Sequence, residues 1–383
     1  MRIETAVVHA GEEPGEFDGA LVLPVFQSST YLYAGQETYE SLRYIRLNNT
    51  PNHRALHQKL AALEGGESGL VAASGMAAIS ATLLSLLQSG DHLLAQSCLY
   101  GATRALVSQD FAHYGIDCDL VDPADPDSWK RRLRPNTRVF LVEAISNPLV
   151  RIGDLPGVVE FCRQHGLVSV IDNTFATPVN FRPLEHGFDL VVHSCTKYLN
   201  GHSDIVAGAV IGPADRVAAV NRRLLHWGGA LDPHACFLLQ RGIRTLVLRV
   251  RQQNQSALQI ARFLESHPAV DRVYYPGLES SDSHPAGRAL FQGFGGMLSF
   301  ELHGALPRTQ VFLRRLRIPV EAPSLGGPES LVTRPATTSH SGWSREERQA
   351  QGIQDHLVRM SVGIEAAEDL LEDLERALRE SSD

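Results

Sequence analysis

Short apolar runs that alternate with helix-length stretches constrain this chain more than any other feature. The runs are Leu93 to Ala95, Val139 to Ala144, Val168 to Ile171 and Leu190 to His193. Runs this short and this continuously apolar suit strands buried on both faces, and their alternation with helices predicts a mostly parallel sheet covered by helices on both sides. The fold class expected is therefore α/β, and in such sheets ligands collect at the carboxyl ends of the strands.

The flanking segments differ in character. Residues 1–50 mix turns with short apolar stretches, broken by Gly11, Pro14, Gly15 and Gly19, and read as an extended arm. Leu56, Leu60 and Leu63 then repeat at helical spacing until Gly65-Gly66 stops them, and a second helix is expected to start after Ser74-Gly75 and end near Gly90. Beyond residue 245 the pattern changes again. A long helix is expected from Thr245 to Ser266, a strand from Met297 to Leu302, and a final helix carries Leu370, Leu371, Leu374 and Leu378. The 383 residues thus divide into an arm (1–50), a large domain (51–245) and a smaller α+β domain (246–383).

Charge and cysteine usage narrow the class of partner. Acidic side chains exceed basic ones by 43 to 35, a net charge of −8, which argues against a nucleic-acid binder. The cluster Lys130 to Arg134 is better read as a solvated helix face. No stretch of about eighteen apolar residues offers a membrane span, and Met1 to Ala10 holds no apolar signal core. The five cysteines (Cys98, Cys118, Cys162, Cys195 and Cys236) show neither C-x-x-C pairing nor metal spacing, so reduced, mostly buried thiols in a cytoplasmic protein are expected and no metal site.

Three features meet at the expected strand ends. Asp172 closes the run Val168 to Ile171, and a carboxylate there is costly unless something pairs with it. Lys197 follows the run Leu190 to His193 by a few residues, where partial desolvation lets an amine lose its proton and form an imine. Ser74-Gly75-Met76 opens a helix whose free N–H groups and dipole suit a phosphate, with Ser194 and Thr196 as further hydroxyl donors. Singly, each has an ordinary structural reading: a helix or turn cap, a solvated surface charge, an N-cap. Together and in this order they supply what pyridoxal 5′-phosphate (PLP) needs, namely a phosphate anchor, a partner for the pyridinium nitrogen and an imine lysine.

At this point the chain resembles the Cys/Met-metabolism (trans-sulfuration) family of PLP enzymes, which includes cystathionine γ-synthases, γ-lyases and β-lyases and methionine γ-lyases. The likeness runs from Val8-His9-Ala10-Gly11 and Pro24 to Tyr31, through Leu63-Glu64-Gly65-Gly66, Ser74 to Ala78, Gly90-Asp91-His92 and Leu99-Tyr100-Gly101. It is strongest at Val170 to Ala176 and Thr196 to Asp204, and ends at Ser324 to Gly327 and Arg359 to Glu365. The resemblance implies the PLP-dependent transferase fold type I, with a large mostly parallel-sheet domain and a smaller α+β C-terminal domain. It implies that Lys197 holds the cofactor and moves protons, that Asp172 pairs with the ring nitrogen, and that Tyr100 stacks on the ring and serves as acid or base. Gly75, Met76, Ser194 and Thr196 would hold the phosphate, with Tyr44 and Arg46 reaching it from a neighbouring subunit. Arg359 would clamp the substrate carboxylate, helped by Asn147 and Ser324. Tyr100 as a packing aromatic, Asn147 as a turn former before Pro148 and Ser324 as a loop residue remain open alternatives, and beside the lysine Cys195 is expected to be a buried thiol. A homotetramer built as a dimer of dimers is implied, acting on a small amino-acid substrate.

The reaction implied is γ-elimination or γ-replacement on a sulfur amino acid. A β C–S lyase or a methionine γ-lyase is the alternative, and a non-catalytic PLP-binding regulatory protein is a remote one. Five departures from the family pattern stand out, of which the last three bear on the substrate. Ile45 stands where many members have a hydroxyl between Tyr44 and Arg46, and the Pro/Thr order that follows is swapped at Thr50-Pro51. Pro323 stands where cystathionine-handling members often carry Glu, with Glu321 two residues earlier. Arg43 stands where some synthases have an acid. Ala102 stands where bacterial methionine γ-lyases often have Cys.

Overall fold

A computed structural model of the chain describes residues 1–12, 15 and 17–381; Pro14, one of the expected helix breakers, lies outside them. The N-terminal sheet has seven strands: β1 (Ser68–Ala72), β2 (His92–Gln96), β3 (Asp117–Val121), β4 (Thr137–Glu143), β5 (Val168–Asp172), β6 (Leu190–His193) and β7 (Gly208–Gly212). Their spatial order is β1-β7-β6-β5-β4-β2-β3. Only β7 runs against its neighbours, β1 on one side and β6 on the other; the remaining pairs are parallel. The mostly parallel sheet of an α/β protein is thus what the apolar runs build. Alternating side chains along β4, β5 and β6 feed two apolar cores, one on each face: Val142, Ile171 and Val191 on the first, Leu141, Val170 and Val192 on the second.

The second sheet has five strands, β8 (Val270–Tyr274), β9 (Met297–Leu302), β10 (Val320–Glu321), β11 (Leu331–Thr333) and β12 (Val358–Ser361), in the order β10-β11-β12-β9-β8. It is antiparallel except at β10–β11. The helices Leu246–Ser266 and Ala367–Glu380 bury Ile260, Leu264, Leu370 and Leu374 against it in a separate core. This is the smaller α+β layer.

Three local expectations need correction. The arm does not begin extended: Ile3–His9 is a helix, because Ala6 and Val7 bury against the helices Pro51–Glu64 and Leu246–Ser266. The helix that starts at Gly75 stops at Leu86 rather than near Gly90, since the chain must turn back into β2. The four apolar runs account for only part of the large sheet, which gains β1, β3 and β7 from sequence too small or too polar to stand out. Among the described residues the rest of the arm holds only two short 3₁₀ turns, Tyr39–Ser41 and Ile45–Leu47, as its helical segments. Among the described residues no helix is long and apolar enough to cross a membrane. No group of three or more His, Cys, Asp or Glu among them is placed to hold a metal ion.

Candidate active site

The carboxyl ends of β4, β5 and β6 open into a cavity of about 680 Å³, closed from the other side by residues 323–325 and 338–339 and by Arg359 on β12. Ten of the twelve sequence-predicted residues line it: Gly75, Met76, Tyr100, Asn147, Asp172, Ser194, Thr196, Lys197, Ser324 and Arg359. They come from both sheets, so the cavity exists only because the two layers pack together.

Lys197 lies four residues beyond β6, in a turn closed by its own N–H on the Ser194 carbonyl. Its Nζ donates to Ser324 Oγ at 2.8 Å. Burial, and secondarily the Arg359 charge, pull the amine down to about 8. Asp172 ends β5 and is open only toward the cavity. One carboxylate oxygen accepts from the Thr174 N–H at 2.9 Å and from the Thr174 hydroxyl at 2.5 Å. Burial still raises its pKa, and among the described residues no Lys, Arg or His nitrogen lies within ion-pair distance of it. A buried carboxylate without a cation at the back of a cavity is suited to a protonated ring nitrogen.

Arg359 is 4 % exposed. Nη1 donates to Asn147 Oδ1 at 3.0 Å and Nη2 to the Ser324 carbonyl at 3.2 Å. Burial lowers its pKa to about 10, so it stays charged at neutral pH. No carboxylate among the described residues pairs with it, and a buried guanidinium so left is a ready site for an anion. Ser324 touches both lysine and arginine and takes φ +90° to do so, an unusual backbone for a residue with a side chain.

The N-terminus of the helix Gly75–Leu86 faces the cavity and is the end suited to a phosphate. Ser74 caps it, accepting from the Ala77 N–H at 3.0 Å, and leaves the first N–H groups without intrahelical partners. A Cβ on Gly75 would stand 2.8 Å from Ser194 Cβ, so only glycine lets the helix end approach the β6 turn. Thr196 is more committed than expected: its hydroxyl donates to the Ala207 carbonyl at 3.1 Å and accepts from the Ala207 N–H at 3.0 Å. Tyr100 exposes 42 % of its surface, and its ring borders the cavity.

Tyr44 and Arg46 do not reach this cavity in the same chain. Arg46 donates to the Leu225 carbonyl and to the Tyr39 hydroxyl, and the Tyr44 N–H donates to Asn49. Pro323 lines the cavity, whereas Glu321 lies exposed on β10 outside it. Cys195 is fully buried, and burial pushes its thiol up.

Sequence reasoning missed Glu143. It ends β4 in register with Asp172 on β5. One carboxylate oxygen accepts from the Tyr100 N–H at 2.7 Å and the other from the Asn147 N–H at 3.1 Å, so one side chain fixes both segments. Burial, and next the Asp172 charge, hold its pKa well above the usual range. The signal was present: like Asp172, it is an acid at the end of an apolar run.

A free helix N-terminus, a strand-end carboxylate with no cation beside it and a lysine amine pulled down to about 8 face one cavity, the set of groups that a PLP-dependent enzyme of fold type I requires. The comparisons agree and narrow the class. Residues 4–379 match the family model described as Cys/Met metabolism PLP-dependent enzyme. The chain is 41 % identical to a cystathionine β-lyase of Coxiella burnetii, over 98 % of this chain and 97 % of that protein. It is also 41 % identical to a cystathionine γ-lyase of Bacillus subtilis, over 99 % of both. It superposes with a TM-score of 0.96, at 38 % identity over 100 % of this chain and 99 % of the other, on a cystathionine γ-synthase of Xanthomonas oryzae pv. oryzae in complex with aminoacrylate and cysteine. The chain belongs to the Cys/Met metabolism family of PLP-dependent enzymes. Relatives bearing β-lyase, γ-lyase and γ-synthase names lie at comparable identity, so likeness alone does not select among those reactions.

Proposed function

We propose that this protein catalyses γ-elimination or γ-replacement on a homoserine- or cystathionine-type amino acid. One observation carries the reading: a lysine amine half-neutral near pH 8, an unpaired buried guanidinium and an unpaired buried carboxylate face one cavity. Bound there, PLP supplies an aldehyde for the substrate amine and a ring that stores the electron pair left when a bond to Cα breaks.

The side chains divide the remaining work. Arg359 takes the α-carboxylate in a two-pronged grip, and Asn147 holds the guanidinium plane. Lys197 Nζ would remove the proton from Cα, hand it to the carbon of the cofactor that had been the aldehyde and, neutral again, remove one from Cβ, which a γ-substituent requires before it can leave. Its one side-chain partner is Ser324, so a single hydrogen bond breaks when the amine swings. Asp172 keeps the ring nitrogen protonated, with Thr174 aiming the carboxylate. The Tyr100 ring, at the border of the cavity, would stack on the cofactor, and its hydroxyl would exchange a proton with the leaving group. Gly75, Met76, Ser194 and Thr196 take the phosphate; for Thr196 the hydroxyl proton must turn away from Ala207.

The arm belongs to the same reading. Leu21, Leu32 and Tyr33 are 77 %, 96 % and 72 % exposed, an apolar surface suited to a second copy of the chain. Tyr44 and Arg46 sit beside it, outside their own cavity, and are offered to the neighbour's phosphate. The assembly is proposed as a tetramer made of two such dimers. The proposed division is an arm of residues 1–50, a cofactor-binding domain 51–245 and a small domain 246–383. Five unpaired cysteines support a reducing compartment, the cytoplasm.

A product assay tests the reaction. Purified holoenzyme is given cystathionine alone, and in a second vessel O-acyl-homoserine with cysteine. We expect 2-oxobutyrate from the first or new cystathionine in the second. Pyruvate as the keto acid from cystathionine would instead make the protein a β-lyase.

A further inference from the structure

On the face of the sheet opposite the cavity, directly behind Asp172, three polar side chains are sealed in the core. Glu64, Asn173 and His193 are 1 %, 0 % and 2 % exposed. His193 follows Val192, the β6 partner of Asp172, and so points to the other face. Its Nε2 lies 2.5 Å from Glu64 Oε1, and the Asn173 amide donates to the same oxygen at 3.0 Å.

Glu64 is a costly residue to keep there. It is the last residue of the helix Pro51–Glu64, the end at which the helix dipole disfavours negative charge. Among the described residues His193 is the only basic side chain within 4 Å of it. Glu64 Oε2, His193 Nδ1 and Asn173 Oδ1 find no hydrogen-bond partner among them. Apolar residues of similar volume would stabilise the core at least as well, so a packing role does not explain the group.

What the group faces does explain it. Asp172 ends its strand in register with a second acid, Glu143, and burial disfavours a negative charge on it. Its hydrogen bonds come from Thr174 alone, and the charge that favours its ionised form is that of His193.

We propose that the Glu64–His193 pair is a positioning device for the cofactor, in which Glu64 fixes an imidazolium whose charge keeps Asp172 ionised for the ring nitrogen. The inference rests on Asp172 serving as that nitrogen's partner. Glu64 and His193 touch neither substrate nor cofactor and act only through Asp172.

The test compares two cofactors on protein stripped of PLP: PLP itself, and its analogue with CH in place of the ring nitrogen. Dissociation constants are measured by fluorescence titration for the unmodified chain, E64Q and D172N. E64Q is expected to weaken PLP roughly tenfold and the analogue less than twofold, because only PLP presents a nitrogen for Asp172 to pair with. Equal weakening of both cofactors would mean that Glu64 merely supports the fold, and no weakening of either would mean that it does nothing for the site; both overturn the proposal. D172N separates the premises. If D172N is also unselective, the Asp172 reading itself fails; if D172N is selective and E64Q is not, only the role of the pair fails. Should E64Q not fold, E64Q/H193Q, which leaves no charge in that cluster, replaces it with the same outcomes.

Discussion

Lys197 can be tested by its own titration, because the chain has only three lysines. Lys59 is sealed by the Val7 and Val8 carbonyls and Glu12, and Lys130 is largely exposed on a helix. An amine reacts with an anhydride only when neutral. A lowered pKa means that Lys197 is mostly protonated below about 8 and reactive above it. In cofactor-free protein, pulse labelling with acetic anhydride followed by peptide mapping should give Lys197 a midpoint near pH 8, well below that of the lysine of an unstructured reference peptide labelled alongside, about 10.4. Coincident midpoints would remove the desolvated-amine argument. The residues of the site were unequally legible. Asp172 stood out because it closes an apolar run with a charge whose burial needs a reason, and Lys197 because it follows such a run by a few residues. Glu143 breaks its run in the same way and was passed over, since its partners are backbone N–H groups of Tyr100 and Asn147, which no side-chain motif reveals. The Glu64–His193 contact joins residues 129 positions apart and depends on a β-strand's alternation at one residue, beyond the reach of local pattern.

Among the elements, the contact of the helix Gly75–Leu86 with the turn after β6 shapes the proposed phosphate site, and Gly75 sets its distance. A methyl group at Gly75 would lie 2.8 Å from Ser194 Cβ and 3.0 Å from its Cα, so the helix end or the turn must shift by several tenths of an ångström. Overpacking of this kind costs about 1–3 kcal/mol, and here it falls on the geometry that gathers phosphate donors. Gly75→Ala should therefore weaken PLP by roughly tenfold or more, with a smaller effect on the Tm of the cofactor-free protein. A Tm loss with unchanged PLP affinity would show that the contact serves packing alone. Strands followed the same rule of legibility as residues. β6, an apolar run closed by His193, and β9, in which Met297, Leu298, Phe300 and Leu302 outweigh Ser299 and Glu301, match their expected bounds to the residue, and both are buried at every position. β1 and β7 are Ser-Gly-Leu-Val-Ala and Gly-Ala-Val-Ile-Gly, whose glycines read as turns until close packing explains them. β3 is an edge strand starting at exposed Asp117 and alternating with acids, so its pattern looked like a loop. The helix Ile3–His9 was hidden by brevity: its apolar contacts are tertiary, and seven residues carry too little periodicity to show.

For the whole molecule, the question is whether one chain is a complete enzyme. Within a chain, Lys197, Asp172 and Arg359 share the cavity, while Tyr44 and Arg46 lie outside it beside an exposed apolar arm. If the arm serves a neighbour, each cavity combines Lys197 of one subunit with Tyr44 and Arg46 of another. Two defects that are silent in different chains can then be sorted onto different cavities. K197A should be inactive, and Y44A/R46A should be nearly so through loss of cofactor. Co-refolding the two in equal amounts makes half the dimers mixed, and in a mixed dimer one cavity receives both defects and the other neither. Activity should recover to about a quarter of the unmodified protein, as random pairing across a two-fold interface requires. The recovery should depend on subunit exchange, so mixing the two after separate assembly should restore much less. If each chain instead completes its own site, every cavity carries one defect in any mixture, and no mixing protocol restores activity. Equilibrium sedimentation of the same samples provides the control: recovery must track the dimer or a larger assembly, and disappear on dilution to monomers.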